Sequence, residues 1–182
     1  MNNCNFLKQV QNSINEVNSK KIDEVSKIIL KKKSQIFLAG NGASASIANH
    51  VATDLTKSAG FNARTLNESN LITCLSNDFG YENWVSKGLE FYSTSSDIVI
   101  LISSSGKSKN IINAAKFCKN KKMTLITLSG FLPTNPLRKL GKYNFYVKSK
   151  NYNVIETTHL IILLNIVENL IKIRNITFQK VL

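Results

Sequence analysis

The stretch Ile98–Ser108, I-V-I-L-I-S-S-S-G-K-S, constrains this chain more than any other. Its first five residues are β-branched or leucine, which is typical of a strand buried on both faces of a parallel sheet. Four serines, a glycine and a lysine follow, and then a helical pattern begins. Hydroxyls gathered at a helix N-terminus, with its free N–H groups and positive dipole, favour an anion site. Serines also cap helices, but a cap requires one hydroxyl. The sequence therefore predicts a phosphate site.

The kind of phosphate compound is restricted by spacing. Gly106-Lys107-Ser108 resembles the end of a nucleotide P-loop, but that motif requires a glycine where this chain has Leu101. The turn Gly40-x-Gly42-x-x-Ala45 resembles a dinucleotide fingerprint, yet no convincing acidic residue for a ribose follows it. We therefore expect a sugar phosphate or another small phosphoester and no nucleotide cofactor. The second turn is predicted to form another wall of the ligand cleft.

Strands and helices alternate along the chain, which predicts an α/β fold with a single doubly wound parallel sheet flanked by helices. The 182 residues suffice for one domain. It divides into an N-terminal helical region (1–33), an α/β core (34–150) and a C-terminal helix (154–175). Residues 4–32 read as one long or broken helix, and Ser76–Tyr81 as a polar turn. The last helix is apolar around most of its circumference, which indicates burial on several sides and a homo-oligomer interface.

Composition excludes some classes of partner. The formal net charge of +13 invites a nucleic-acid hypothesis, but the lysines are spread along the chain without interleaved aromatic residues, so nucleic-acid binding is disfavoured. We expect no membrane span, because no apolar run approaches the required length. Three cysteines without a CxxC motif indicate free thiols in a reducing compartment, and no signal peptide is apparent. The predicted location is the cytoplasm.

Both histidines of the chain share a helical face with a carboxylate. His50 lies four residues before Asp54, and Glu156 lies three residues before His159. A single pair of this kind is most often structural. Two pairs beside two glycine- and serine-rich turns suit either metal ligation or proton transfer on a carbonyl substrate.

Four segments together resemble the sugar isomerase (SIS) domain, and more narrowly the phosphoheptose isomerases. They are N-G-A-S-A-S-I-A-N-H-V-A-T-D-L (41–55), S-N-D-F-G-Y-E (76–82), I-S-S-S-G-K-S-K-N (102–110) and I-E-T-T-H-L (155–160). The resemblance implies a flavodoxin-like topology and a homotetramer. It also implies conversion of sedoheptulose 7-phosphate to a D-glycero-D-manno-heptose 7-phosphate, for lipopolysaccharide or capsule.

The resemblance further implies roles for individual residues. The phosphate would be held by four hydroxyls, those of Ser103, Ser104, Ser105 and Ser108. The sugar would be lined by residues of two turns, namely Asn41, Gly42, Ala43, Asn77 and Asp78. Zinc or substrate would be bound at His50, Asp54 and Glu156.

The chain departs from the family pattern at two of these positions and at one further position. Asp54 stands where the heptose enzymes usually have glutamate, Glu156 stands for a glutamine, and Leu164 replaces a second histidine. A three-ligand zinc site from His50, Asp54 and Glu156 remains open, and Asp54 and Glu156 would share the catalytic proton transfers through an enediol. Because Leu164 can neither ligate nor carry a proton, the alternative is a non-catalytic SIS protein. Such a protein would bind a sugar phosphate or a protein partner in a regulatory role.

Overall fold

The computed structural model describes residues 5–174, which form five strands and eight helices. The strands are β1 (Ile36–Ala39), β2 (Ala63–Thr65), β3 (Ile98–Ser103), β4 (Thr124–Ser129) and β5 (Tyr143–Tyr146). The helices are α1 (Phe6–Asn15), α2 (Ser19–Lys32), α3 (Ala43–Lys57), α4 (Ser69–Phe79), α5 (Trp84–Tyr92), α6 (Lys109–Asn120), α7 (Pro136–Leu140) and α8 (Tyr152–Ile173).

The five strands form one parallel sheet in the order β2-β1-β3-β4-β5. All six residues of β3 are buried, as expected for an apolar strand at the centre of a sheet covered on both sides. The predicted doubly wound parallel α/β fold is confirmed, and the strand order is the flavodoxin-like one.

Helices cover both faces of the sheet and enclose two apolar clusters. On one face Ile98, Ile100 and Ile102 pack with residues of α2, α3 and α8. On the other face Val99 and Leu101 pack with residues of α4, α5 and α6. Because side chains alternate along a strand, the uninterrupted apolar run of β3 supplies both clusters.

The structure decides between the alternatives of one local prediction and corrects another. The N-terminal helical pattern is broken into α1 and α2, and Asn18 caps α2 by accepting a hydrogen bond from the Lys21 N–H at 3.3 Å. The predicted polar turn begins too early, because residues 76–79 complete α4. The chain turns at Gly80, whose φ of +82° is accessible to glycine. In the sequence, the polar residues of an exposed helical face have the same pattern as a polar turn.

The C-terminal helix α8 lies at the centre of the helical layer. It is long and apolar enough to cross a membrane, contrary to the expectation from sequence, but 56% of its most apolar window is buried inside the protein. It contacts α1, α2, α3 and β4, so it is a core helix of this domain. Among its less buried side chains, Leu160 and Leu164 also pack against the core. The interface role of α8 stays a prediction.

Candidate active site

The turns that follow β1 and β3 meet at the carboxyl edge of the sheet. These strands are neighbours, with Ala39 opposite Leu101, and the strand order reverses between them. In open α/β sheets such a switch point leaves a crevice for ligands. A cavity of about 190 Å³ lies there. It is lined by Asn41, Ser44, Ile102, Ser103, Ser104, Ser105, Ser108, Tyr152 and Glu156.

The serine turn wraps one side of this cavity. The hydroxyls of Ser103 and Ser108 lie 3.1 Å apart, and Ser103 and Ser104 are buried. Ser108 occupies the N-cap position of α6, yet its side chain makes no capping hydrogen bond. The interpretation of these serines as helix caps therefore fails for Ser108, and all four serines line the cavity beside the N-terminus of α6.

The shape of the serine turn depends on Gly106. Its φ is +64°, and a Cβ at this position would overlap the side chain of Asn135. Asn135 is buried, and its Nδ2 donates to Ser129 Oγ at 3.2 Å and to the Leu132 carbonyl at 2.8 Å. The Gly106 carbonyl in turn accepts from the Leu137 N–H at 3.2 Å. The segment after β4 thus holds the serine turn in place.

Glu156 brings a carboxylate into the cavity from the second turn of α8. Its Oε1 accepts a hydrogen bond from the Ser104 hydroxyl at 3.2 Å. Among residues 5–174 the ion pairs do not include Glu156. One wall of the cavity therefore combines hydroxyl donors with a carboxylate acceptor, which suits a ligand that is phosphorylated at one end and exchanges protons at the other.

His159, the other member of that helical pair, is structural. Its side chain is fully buried and its Nε2 lies 3.3 Å from the Ser129 carbonyl oxygen. Burial lowers the pKa of His159 from 6.5 to about 4, and the contact with Ser129 only partly offsets this. The imidazole is thus neutral at pH 7 and anchors α8 to the end of β4.

Several residues predicted for the site do not line this cavity. His50 Nε2 and Asp54 Oδ2 lie 3.1 Å apart on an accessible face of α3, with side-chain exposures of 53% and 28%. Asn77 and Asp78 are exposed on α4 and hydrogen-bond to each other at 2.9 Å. Gly42 and Ala43 follow Asn41 at the start of α3 and are exposed.

The three-ligand zinc site of His50, Asp54 and Glu156 is not assembled in this chain. Among the described residues, no group of three or more histidine, cysteine, aspartate or glutamate side chains could hold a metal ion. His50 and Asp54 supply two neighbouring ligands on α3. Glu156 lies on α8, where it faces Ser104 of the serine turn. A zinc ion therefore does not fit this predicted ligand set.

The structure adds cavity residues that the sequence analysis missed. Ser44 lies in the first turn of α3, and its place two residues after Gly42 was a usable signal. Tyr152 opens α8 and packs on Phe131 with ring centroids 4.6 Å apart. No local pattern links Tyr152 to the serine turn, because the two lie more than forty residues apart in the chain.

A larger groove lies on the outer side of α3 and β2. It has a volume of about 430 Å³ and is lined by residues such as Asn49, Thr53, Lys57 and Arg64. It contains neither a helix N-terminus nor a carboxylate. The smaller cavity at the switch point is therefore the better candidate for chemistry.

Known proteins resemble this chain in sequence and in fold. The family model described as SIS domain matches residues 4–130. Phosphoheptose isomerase from Sulfurimonas denitrificans is 35% identical over 151 residues, covering 78% of this chain and 77% of the relative.

Two solved structures share the fold. Phosphoheptose isomerase GmhA from Neisseria gonorrhoeae matches with a TM-score of 0.84 at 22% identity, covering 91% of this chain and 94% of that one. The Vibrio vulnificus NanR protein, solved in complex with ManNAc-6P, matches with a TM-score of 0.73 at 17% identity, covering 93% of this chain and 60% of that one. From the family model and the sequence relative together, we conclude that this chain belongs to the SIS domain family.

Proposed function

We propose that this protein is a phosphoheptose isomerase that interconverts sedoheptulose 7-phosphate and D-glycero-D-manno-heptose 7-phosphate in heptose biosynthesis. The observation that carries the proposal is the cavity in which Glu156 faces the serine turn, with Ser104 bonded to its carboxylate at 3.2 Å. The relative of Sulfurimonas denitrificans bears this activity in its name and supports the choice of substrate.

The serine turn is the proposed phosphate subsite. Ser103, Ser104, Ser105 and Ser108 supply hydroxyl donors, and the N-terminus of α6 adds backbone N–H groups and its dipole. The cavity of about 190 Å³ is smaller than the roughly 300–1,000 Å³ of typical ligand pockets. The sugar would therefore extend beyond the cavity on the side of Asn41 and Tyr152.

Glu156 is the proposed proton-transfer group. In the ketose, a base removes a proton from C1 while the C2 oxygen gains one, which yields an enediol. Return of the carbon-bound proton to C2 and loss of the proton on O1 then give the aldose. Glu156 lies in the cavity and can move the carbon-bound proton. Asp54, which the family resemblance assigns to the same chemistry, lies beside His50 outside the cavity lining.

The proposed proton transfer uses no zinc ion, because the three predicted ligands do not form one cluster. A test is simple: turnover is measured after dialysis against a chelator and again after zinc is restored. Loss and recovery of turnover would mean that His50 and Asp54 find further ligands outside the predicted set. Unchanged turnover would support proton transfer without the metal.

A homotetramer in the cytoplasm is also part of the proposal. Leu7 on α1 and Ile173 at the end of α8 are exposed apolar side chains, with exposures of 79% and 52%, which supports an interface between copies. Cys74 and Cys118 are free thiols, as expected in a reducing compartment.

A second candidate function is non-catalytic recognition of a sugar phosphate in a regulatory role. Leu164, which packs against the core and carries no proton, favours it, and the likeness to NanR shows that this fold occurs in a protein solved with a sugar phosphate.

Turnover of sedoheptulose 7-phosphate by the purified protein distinguishes the two functions. We expect turnover by the wild-type chain and loss of it in Glu156→Gln. Binding without turnover, abolished by Ser104→Ala together with Ser105→Ala, would instead establish the regulatory function. Absence of both binding and turnover would refute both.

A further inference from the structure

Asn110, a residue of α6 outside the cavity lining, faces the turn after β1. It lies in the first turn of α6, two residues after Ser108, and is only 2% exposed. Its side chain therefore has to find its hydrogen-bond partners within the protein.

Asn110 pairs with Asn41 through two reciprocal hydrogen bonds. Asn41 Nδ2 donates to Asn110 Oδ1 at 2.9 Å, and Asn110 Nδ2 donates to Asn41 Oδ1 at 2.9 Å. The Tyr81 hydroxyl adds a longer contact of 3.3 Å to Asn41 Oδ1. Each amide thus fixes the plane of the other, and one N–H of Asn41 remains for a ligand in the cavity.

The pair joins two turns that belong to different strands. Asn41 lies between β1 and α3, in a segment without regular secondary structure, and it lines the cavity. Asn110 is attached rigidly to the serine turn through α6. The distance between the phosphate subsite and Asn41 is therefore set by this amide pair.

We propose that Asn110 is a positioning residue that holds Asn41 at a fixed distance from the serine turn, so that the two ends of a phosphorylated sugar are recognised together. This inference rests on the proposed function, because it takes the cavity to bind a sugar phosphate. Inorganic phosphate has no second end, so its binding does not require Asn41 or the amide pair.

The test compares the affinities of sedoheptulose 7-phosphate and inorganic phosphate by calorimetry, with kcat and KM from turnover. Asn110→Ala is expected to weaken sugar phosphate binding by roughly tenfold while phosphate binding changes by less than about twofold. The matched control is Asn113→Ala, one turn later on α6. The Asn113 amide donates to the Glu82 carbonyl and the Asn83 side chain and does not contact Asn41. We expect it to leave both affinities unchanged.

A double-mutant cycle decides whether Asn110 acts through Asn41. In the Asn41→Ala background, Asn110→Ala should cause no further loss of sugar phosphate affinity, because the group that it positions is gone. Equal loss of both ligands in Asn110→Ala, or full additivity with Asn41→Ala, would overturn the inference and indicate a general structural role.

Failure of the proposed function gives a different result. A wild-type chain that binds sedoheptulose 7-phosphate without turnover refutes the isomerase, yet the binding cycle still decides the role of Asn110. A wild-type chain that binds inorganic phosphate but not sedoheptulose 7-phosphate refutes both.

Discussion

Replacement of Gly106 by alanine should destabilise the protein by considerably more than replacement of Gly42, although both glycines have positive φ values of +64° and +55°. An alanine held in such a sparsely populated backbone conformation costs about 1–3 kcal/mol. At Gly42 a Cβ would meet nothing within 4 Å, so that cost is the whole effect. At Gly106 the Cβ would overlap Asn135 and displace a buried amide.

The displaced amide sets the size of the difference. Asn135 donates to Ser129 Oγ, the Gly130 carbonyl and the Leu132 carbonyl, and its Oδ1 accepts from the Arg138 N–H at 2.9 Å. If two of these bonds are lost at roughly 0.5–1.5 kcal/mol each, Gly106→Ala costs about 2–6 kcal/mol in total.

Urea unfolding at one fixed protein concentration measures both variants, because oligomerisation would otherwise shift the apparent stability. Gly42→Ala should lower the free energy of unfolding by about 1–3 kcal/mol, and Gly106→Ala by at least about 1 kcal/mol more. Equal losses for the two variants would refute the reasoning, because they would mean that Asn135 moves aside at no cost.

Three further predictions concern the cavity and α8. Ser105→Ala should weaken inorganic phosphate binding in calorimetry by roughly tenfold with little change in Tm, since Ser105 Oγ accepts from the Lys107 N–H and keeps its own proton to donate to the anion; unchanged affinity would place the phosphate elsewhere. Glu156→Gln should lower kcat by about 10²–10⁴ and alter KM much less, because proton transfer is removed while the shape is kept; a near-normal kcat would exclude Glu156 as the base. The pKa of His159 is about 4 in the folded chain against 6.5 ordinarily, so the unfolded chain takes up this proton first as pH falls. The contribution of neutral His159 to the free energy of unfolding is therefore complete above pH 6.5 and is lost between about pH 6.5 and 4. The free energy of unfolding of His159→Gln should depend less on pH in that window. An equal pH dependence of the two chains would contradict the buried neutral imidazole.

Much of the fold follows from local patterns in the sequence. The apolar run Ile98–Ile102 predicted a central strand because only a strand covered on both faces is apolar at every position. The end of α4 was missed, since of that helix only Leu75 is buried and the residues after it are polar. With a single buried side chain, α4 shows little of the regular spacing of apolar residues that predicts a helix.

The candidate site was predictable where it is local in the chain. The serine turn needs only the consecutive residues 103–108, which the sequence shows directly. The contact of Ser104 with Glu156 spans 52 residues, so the resemblance supplied Glu156 but not its partner. Among the described residues, those predicted to hold zinc do not form one cluster, and the sequence could not reveal this because spacing along α3 says nothing about where α8 places Glu156. The pair of Asn41 and Asn110 spans 69 residues and has no sequence signature.

The position of Glu156 in the last helix has a consequence for synthesis of the protein. A chain made from its N-terminus has its serine turn long before residue 156 is available, and domains generally fold as units. A nascent chain that ends near residue 150 would thus display a hydroxyl turn without its carboxylate, and would lack α8, the helix that contacts α1, α2 and α3. The proposed proton-transfer group is therefore added together with the helix that completes the helical layer, so that a prematurely terminated chain lacks both.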